Sequence, residues 1–133
     1  NSSAASDVYK RQDKIDIDRY ILKDGKKRCY FEIKERSNTI NAYKETQFPY
    51  AKIETAKKII EKESIPVFIV LKFIDCWSYH KVEIGKDYKR GNKPFAPNYR
   101  PEQHYKMKQI PVKLDVEKDL KILPINDYCV SNF

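Results

Sequence analysis

The fold of this chain is decided by residues 15–36, IDIDRYILKDGKKRCYFEIKER, which form two alternating runs around one turn signal. Strand side chains point alternately to the two faces of a sheet, so each run predicts a β-strand. Asp24-Gly25 between them is a typical hairpin turn. The apolar sets are Ile15, Ile17 and Ile21 in the first run, and Cys29, Phe31 and Ile33 in the second. The stretch therefore predicts a β-hairpin.

The segment after the hairpin predicts a helix and a buried strand. Residues 37–47 are polar and irregular. Further along, the run of residues 66–71, PVFIVL, is too short and too β-branched for a helix. Such a run is typical of a strand that is buried on both faces and covered by helices. Between them, residues 49–63 predict a helix whose apolar face comprises Ile53, Ala56, Ile59 and Ile60.

The C-terminal half carries weaker patterns. A turn at Asp75-Cys76 precedes a returning strand over residues 77–84. A short helix is expected near residues 116–120, and an edge strand near residues 122–125. Together these elements predict an α/β fold with a mixed central β-sheet flanked by helices.

The composition fits one basic domain. The 133 residues carry 27 Lys+Arg against 19 Asp+Glu, a formal net charge of +8. A chain of this length builds a core without disulfides or metal, and its three scattered cysteines fit neither a disulfide framework nor a zinc site. No apolar run is long enough to span a bilayer. We expect a cytoplasmic protein without membrane contact, for which a polyanion is the first partner to consider.

Two segments differ from the rest. Residues 1–12 contain the run SAASDVYKRQ, which resembles a translated sequencing-adapter remnant. We expect a non-native or disordered tail there, and a single domain over residues 13–133. Residues 86–113 hold eight Lys/Arg against two acidic residues. One interpretation is that this basic segment binds phosphate through Lys89, Arg90 and Lys93 and stacks its aromatic residues on unpaired bases. The other is that the cations only solvate a long loop that the aromatic residues pin to the body. The aromatic residues are Tyr88, Phe95, Tyr99 and Tyr105.

The second strand carries the residues that point to chemistry. Glu32, Lys34 and Arg36 are two residues apart, so they share one face of the strand. Phe31 and Ile33 take the other face, toward the core. Glu32 and Lys34 are therefore expected to be at least partly exposed.

The register of the hairpin decides which residues share the face of Glu32. If residues 23–25 form a three-residue loop closed by a glycine bulge, Asp16 and Asp18 lie on that face. A two-residue Asp-Gly turn puts them on the opposite face. We predict the first register, in which carboxylates converge and a hard divalent cation such as Mg²⁺ resolves their repulsion. The lysine beside it, Lys34, would orient an attacking water or stabilise charge on a phosphate.

This arrangement resembles the D-x(n)-E-x-K signature of the PD-(D/E)XK nuclease superfamily, which has the restriction-endonuclease-like fold. The signature is carried by Asp18 and by Phe31-Glu32-Ile33-Lys34, and the order of later elements extends the similarity over residues 15–84. Small phage-type nucleases and Holliday-junction resolvases are the members it most resembles. The resemblance implies hydrolysis of DNA with Mg²⁺ or Mn²⁺ as cofactor, and it allows a homodimer.

The resemblance also implies a role for each matching residue. Asp18 and Glu32 become metal ligands, with Asp16 as a competitor for the first position. The backbone carbonyl of Ile33 becomes a further ligand. Lys34 becomes the catalytic lysine.

Substrate contacts are expected from Arg36, from Gln47 at the start of the following helix, and from Lys52 on that helix. The chain departs from the family pattern at two points. Ile17 stands where Pro or a small residue usually precedes the metal-binding Asp, and no N-terminal helix supplies the Glu that many members have. If residues 1–12 are a remnant, that helix has been lost, and weak or no activity is expected from this chain.

Two other functions fit the sequence. One is a nucleic-acid-binding module that keeps the fold without cleaving, and the other is a small basic protein-interaction domain in which the E-x-K is accidental. Metal-dependent nicking separates the nuclease from the first, and salt-sensitive DNA binding separates both from the second. Nucleophilic catalysis is poorly supported, because His80 is expected to be a packed or exposed strand residue with no partner Ser or Cys.

Overall fold

The computed structural model describes the backbone of residues 7–10, 17, 19–91 and 110–124, and the side chains of all of these except 7–10. A 3-10 turn, Ile40–Ala42, lies between the third and fourth strands. The other elements, in chain order, are β1 (Asp7–Lys10), β2 (Arg19–Lys23), β3 (Lys26–Glu35), β4 (Glu45–Pro49), α1 (Tyr50–Glu63), β5 (Val67–Lys72), β6 (Trp77–Lys81), β7 (Pro111–Asp115), α2 (Val116–Asp119) and β8 (Lys121–Ile122).

A six-stranded mixed sheet forms the centre of the fold, in the order β1-β2-β3-β5-β6-β8. β3 and β5 are parallel and are connected through α1, whereas the other neighbours in this sheet are antiparallel. This confirms the predicted α/β fold with a mixed sheet and helices. Residues Asp7–Lys10 belong to the sheet as β1, although the sequence placed them in a tail outside the fold. Neither helix of the described chain has the length and apolar character needed to cross a membrane.

The turn between β2 and β3 differs from the predicted one. Lys23 pairs with Lys26, which leaves a two-residue turn of Asp24 and Gly25. Their φ angles are 55° and 75°, and two positive values in succession are typical of a type I′ turn. The expected three-residue loop is therefore wrong, because an aspartate tolerates the left-handed conformation and the type I′ turn matches the twist of the strands.

A β-bulge follows immediately after this turn. Leu22 pairs with Lys27, but the preceding residue, Ile21, pairs with Cys29. Arg28 is thus an extra residue on β3, and the pairing shifts by one position. A shift of one residue exchanges the two faces of a strand. The bulge therefore places the side chains of β2 on the same faces, relative to those of β3, as the three-residue loop would have done.

The two faces of the sheet bury different clusters. The face of β3 that bears Tyr30 and Glu32 packs against α1 and belongs to the larger core, which includes Ile53, Ala56 and Ile59 of the predicted apolar helix face. The opposite face carries a smaller cluster. The expectation that Phe31 and Ile33 point toward the core holds only for this smaller cluster, which comprises Ile21, Phe31 and Val70, with Cys29, Ile33, Phe68, Trp77 and Tyr79 packed at its edge.

A second sheet lies beside the N-terminus of α1, where the sequence predicted irregular structure. β4 pairs antiparallel with β7, and Thr46 and Phe48 are buried while their neighbours Glu45 and Gln47 are exposed. The alternation in β4 is short and ends at a proline, and its partner strand is distant in sequence. The expected short helix and edge strand near the C-terminus correspond to α2 and β8.

A hydrogen-bonded cluster joins β6 to the loop that follows it. The backbone N–H of Glu83 donates to Tyr88 Oη at 3.0 Å, and Tyr88 Oη lies 2.8 Å from His80 Nε2. The other ring nitrogen, Nδ1, lies 2.8 Å from the carbonyl oxygen of Asp119. His80 is a buried structural residue, as expected. Tyr88 is buried as well, so it pins the loop to the body and does not stack on bases.

Candidate active site

Glu32 lies in the interior of the protein, on the face of β3 that α1 covers. The residue is 1% exposed, so the prediction of partial exposure is wrong. The first turn of α1 places Lys52 above it, with Nζ of Lys52 2.7 Å from Oε2 of Glu32. A charged carboxylate is costly to bury without a partner, and Lys52 supplies a countercharge by direct contact.

Lys34 lies one strand repeat beyond Glu32 on the same face of β3 and is half-buried. Alternate residues of a strand are about 7 Å apart, so the carboxylate and the ammonium can both reach a group of the size of a phosphate. The parallel pairing with β5 fixes this stretch of β3, because Glu32 pairs with Ile69 and Lys34 with Leu71. The shared face predicted from the E-x-K spacing is present.

The backbone of β3 directs the carbonyl of Ile33 away from β5. The N–H of Tyr30 donates to the carbonyl of Pro66 at 2.9 Å, and the N–H of Arg36 donates to the carbonyl of Lys72 at 2.8 Å. Residues with even numbers therefore bond to β5, and strand geometry turns the N–H and C=O of the intervening residues to the other edge. The carbonyl of Ile33 faces the edge along which β2 runs.

The predicted aspartate ligands, Asp16 and Asp18, lie outside the described residues, and their assignment stays a prediction. The adjoining pair is described, because Arg19 at the start of β2 pairs with Phe31, next to Glu32. Among the described residues, no three His, Cys, Asp or Glu side chains come together as metal ligands. Glu32 and the Ile33 carbonyl are the described oxygen donors of the candidate site.

The side chain of Arg36 contacts the backbone of Gln47. Arg36 is half-buried, and its guanidinium donates to the carbonyl oxygen of Gln47. Burial lowers the pKa of Arg36 from its ordinary value. Gln47 is an exposed residue in β4, so its predicted position at the start of the helix is wrong. The helix begins later, at Tyr50, because β4 continues through Pro49.

The basic segment begins at the N-terminal end of α1. Lys89 is exposed and lies 3.6 Å from Oε2 of Glu45. The guanidinium of Arg90 lies over the ring of Tyr50, 4.7 Å from its centroid. Arg90 is thus close to the helix turn that bears Lys52, and Lys89 lies at the start of β4. Lys93, Phe95, Tyr99 and Tyr105 lie outside the described residues.

The comparison with known proteins assigns a family. Residues 1–91 match the family described as "Phage putative PDDEXK endonuclease". The chain belongs to this nuclease family. No curated protein matches the sequence. The fold is similar to that of Hjc from Archaeoglobus fulgidus, a Holliday junction resolvase, with a TM-score of 0.52 and 12% identity over 84% of this chain and 71% of that chain.

The family assignment confirms the PD-(D/E)XK resemblance, and the match contains Glu32, Lys34 and Lys52. The divalent cation that the family implies fits the described donors, since Glu32 presents a buried carboxylate and Ile33 a backbone carbonyl turned away from β5. Carboxylate and carbonyl oxygens are the ligands that Mg²⁺ and Mn²⁺ prefer.

Sequence reasoning missed the contact between Glu32 and Lys52. Lys52 was expected to reach substrate phosphate from the helix, and this role stays a prediction. In the structure its ammonium contacts the E-x-K carboxylate. The apolar face of α1 was recognisable from the sequence, and the position of Lys52 beside that face was the signal that could have predicted the contact. Ile53 and Ala56 define the face that points to the sheet, and Lys52 lies beside it in the first turn.

Proposed function

We propose that this protein is a Mg²⁺- or Mn²⁺-dependent nuclease that hydrolyses DNA phosphodiester bonds. The observation that carries the proposal is the placement of Glu32 and Lys34 on one face of β3, with the carboxylate buried and held by Lys52. A buried ionic cluster of this kind is expensive for stability, and such clusters are concentrated at functional sites.

Asp18, Glu32 and the carbonyl of Ile33 would hold the cation, with Asp16 as the alternative to Asp18. When bound, the cation supplies Lewis-acid activation of the phosphate and lowers the pKa of a coordinated water. The chain contributes a rigid carboxylate, because β5 and α1 hold Glu32 from two sides. Lys34 places a positive charge on the same face, where it orients the water or stabilises negative charge on the phosphate oxygens.

DNA is the proposed substrate because of the charge around this site. The chain carries a net charge of +8, and Arg36, Lys89 and Arg90 lie along the second sheet and the N-terminal end of α1. Cations on a surface of this kind bind phosphates and release condensed counterions. The fold resembles that of a Holliday junction resolvase, so a four-way junction belongs among the test substrates beside duplex and single-stranded DNA.

A cleavage assay with supercoiled plasmid, duplex and junction DNA tests the proposal. We expect nicking with Mg²⁺ or Mn²⁺, none with EDTA, and loss of nicking in Glu32→Gln and in Lys34→Ala. Matched controls are Glu61→Gln, an exposed residue of α1, and Lys26→Ala, an exposed lysine of the hairpin. Full nicking by folded Glu32→Gln at saturating metal would refute the assignment.

The second candidate is a DNA-binding module that does not cleave. The observation in its favour is the ion pair itself, since the carboxylate is already neutralised by Lys52. In that case DNA binding would persist in Glu32→Gln and in Lys34→Ala, and no metal would produce nicks in the unaltered protein.

A further inference from the structure

A groove of about 850 Å³ lies at the end of β3, between the two sheets. Its walls come from the last residues of β3, the following loop, β4 and β7. The lining residues that bear on binding are Glu35, Arg36, Tyr43, Lys44, Glu45 and Lys113. Its size suits a few nucleotides of one strand and is small for a folded partner.

The charged residues of the groove leave it positive. Its two carboxylates each approach a lysine outside the lining: Glu35 lies 3.9 Å from Lys72, and Glu45 lies 3.6 Å from Lys89. Its cations, Arg36, Lys44 and Lys113, form no ion pair with any residue in the described parts of the chain. The groove therefore presents three cations against carboxylates that are already partly neutralised.

An exposed aromatic ring stands at the rim of this groove. Tyr43 is 68% exposed, although the loop that carries it is fixed. Ile40 of that loop is buried in the larger core, and its N–H donates to Oδ1 of Asp75 at 3.0 Å. The N–H of Ile74 donates to the carbonyl of Asn38 at 3.1 Å. A large aromatic side chain held in solvent by an ordered loop is a surface on which a base can stack.

The groove begins next to the candidate active site. Its lining residue Arg36 follows Lys34 by two residues, one position past the end of β3, and its N–H continues the hydrogen bonding to β5. Alternation therefore places Arg36 on the side of Lys34, about 7 Å away. Glu32, Lys34 and Arg36 thus form one line from the buried carboxylate to the groove. A strand whose phosphate lies at Lys34 would have its next nucleotides at Arg36.

We propose that this groove binds unpaired nucleotides of the DNA substrate beside the cleavage position. Arg36, Lys44 and Lys113 would contact phosphates, and Tyr43 would stack on a base. The inference rests on the proposed nuclease function and adds the structural class of substrate to it, namely DNA with a single-stranded segment.

Binding without cleavage tests the groove. The probes are a fluorescein-labelled 12-nucleotide single strand and the duplex of the same sequence, measured by fluorescence anisotropy in Ca²⁺ for the full chain. Tyr43→Leu should weaken single-strand binding by about fivefold to 150-fold, because loss of one stacked base costs that much. Its duplex affinity should change by less than about twofold, and Tyr43→Phe should bind both probes as the unaltered protein does.

The phosphate contacts are tested through salt dependence. Lys44→Ala/Lys113→Ala should reduce the slope of log K against log salt for the single strand by up to about 1.4, or 0.7 for each phosphate. Lys58→Ala/Lys62→Ala is the matched control, since it removes the same charge from exposed positions of α1 outside the groove. Circular dichroism of each variant verifies the fold.

The outcomes separate the two proposals. If the unaltered protein binds neither probe, the nuclease proposal fails and the groove proposal fails with it. Suppose that the unaltered protein binds DNA and that Tyr43→Leu either binds both probes with unchanged affinity or loses affinity for both by the same factor. The groove assignment is then overturned while the nuclease proposal stands.

Discussion

Lys52 Nζ and Glu32 Oε2 are 2.7 Å apart, and both side chains are withdrawn from solvent, at 19% and 2% exposure. The contact joins the first turn of α1 to the centre of β3. Ion pairs at the surface contribute little to stability, but a buried carboxylate depends strongly on its partner. This pair links the stability of the fold to the candidate chemistry.

Removal of the lysine should destabilise the protein. Lys52→Met keeps most of the apolar stem and leaves the Glu32 carboxylate without this countercharge, so we expect a loss of about 3 kcal/mol or more in the free energy of unfolding. Glu32→Gln/Lys52→Met should lose less than the sum of the single variants. Urea denaturation measures both values, and additive losses would contradict a direct interaction.

A divalent cation should compete with Lys52 for Glu32. A metal ion and the Lys52 ammonium repel each other when both lie against the Glu32 carboxylate, so binding of the ion weakens the contact between Lys52 and Glu32. Mn²⁺ should therefore raise the Tm of Lys52→Met by more than it raises the Tm of the unaltered protein, and it should leave Glu32→Gln unchanged. Equal Tm shifts in all three proteins would show that the cation does not bind at Glu32.

The cluster around His80 predicts a loss of stability in mild acid. Burial lowers the pKa of His80, and Lys86 acts in the same direction, while Asp119 and Glu83 oppose it. In the folded protein the neutral ring accepts a hydrogen bond from Tyr88. As the pH falls below about 6.5, the unfolded chain takes up the proton first, so the free energy of unfolding decreases.

Urea denaturation between pH 5 and pH 8 measures this dependence. His80→Gln should be less stable than the unaltered protein at pH 8 and should have a shallower pH dependence below pH 7. The control is His104→Gln, which removes the other histidine of the sequence. This variant should retain the full pH dependence of the free energy of unfolding. A pH dependence that survives in His80→Gln would assign it to other groups.

The turn between β2 and β3 should require glycine at position 25. Gly25 has a φ of 75°, which costs a residue with a side chain about 1 kcal/mol or more. Gly25→Ala should therefore lower the free energy of unfolding by that amount. Gly85→Ala is a matched control, since Gly85 has no positive φ and open space around its added Cβ. Equal stability of the two variants would contradict the role of backbone strain.

The hairpin shows which structural features could be predicted from local sequence and which could not. Alternation placed Glu32 and Lys34 on one face, which needs only local geometry. The turn type was wrong, because Asp24-Gly25 is compatible with two loop lengths and no local signal marked Arg28 as a bulge. Both the predicted loop and the observed turn with its bulge give the same relative facing of β2 and β3.

Long-range contacts explain what the sequence did not predict. The burial of Glu32 depends on α1, and its countercharge comes from Lys52, which local periodicity does not connect to β3. β4 forms only with β7, whose residues lie far along the chain. Considered alone, residues 45–47 were predicted to be irregular and Pro49 to begin the helix. Tertiary pairing, rather than propensity, determines these parts of the fold.

The extra residue Arg28 has a consequence for inheritance. Deletion of its codon would keep every site residue and the reading frame of the gene, yet it would turn all side chains of β2 to the opposite face of the sheet relative to β3. A codon inserted at the Asp24-Gly25 turn would compensate for the deletion. The two changes would behave as a lesion and its intragenic suppressor, so diverging descendants of this gene can exchange loop length for bulge only in pairs.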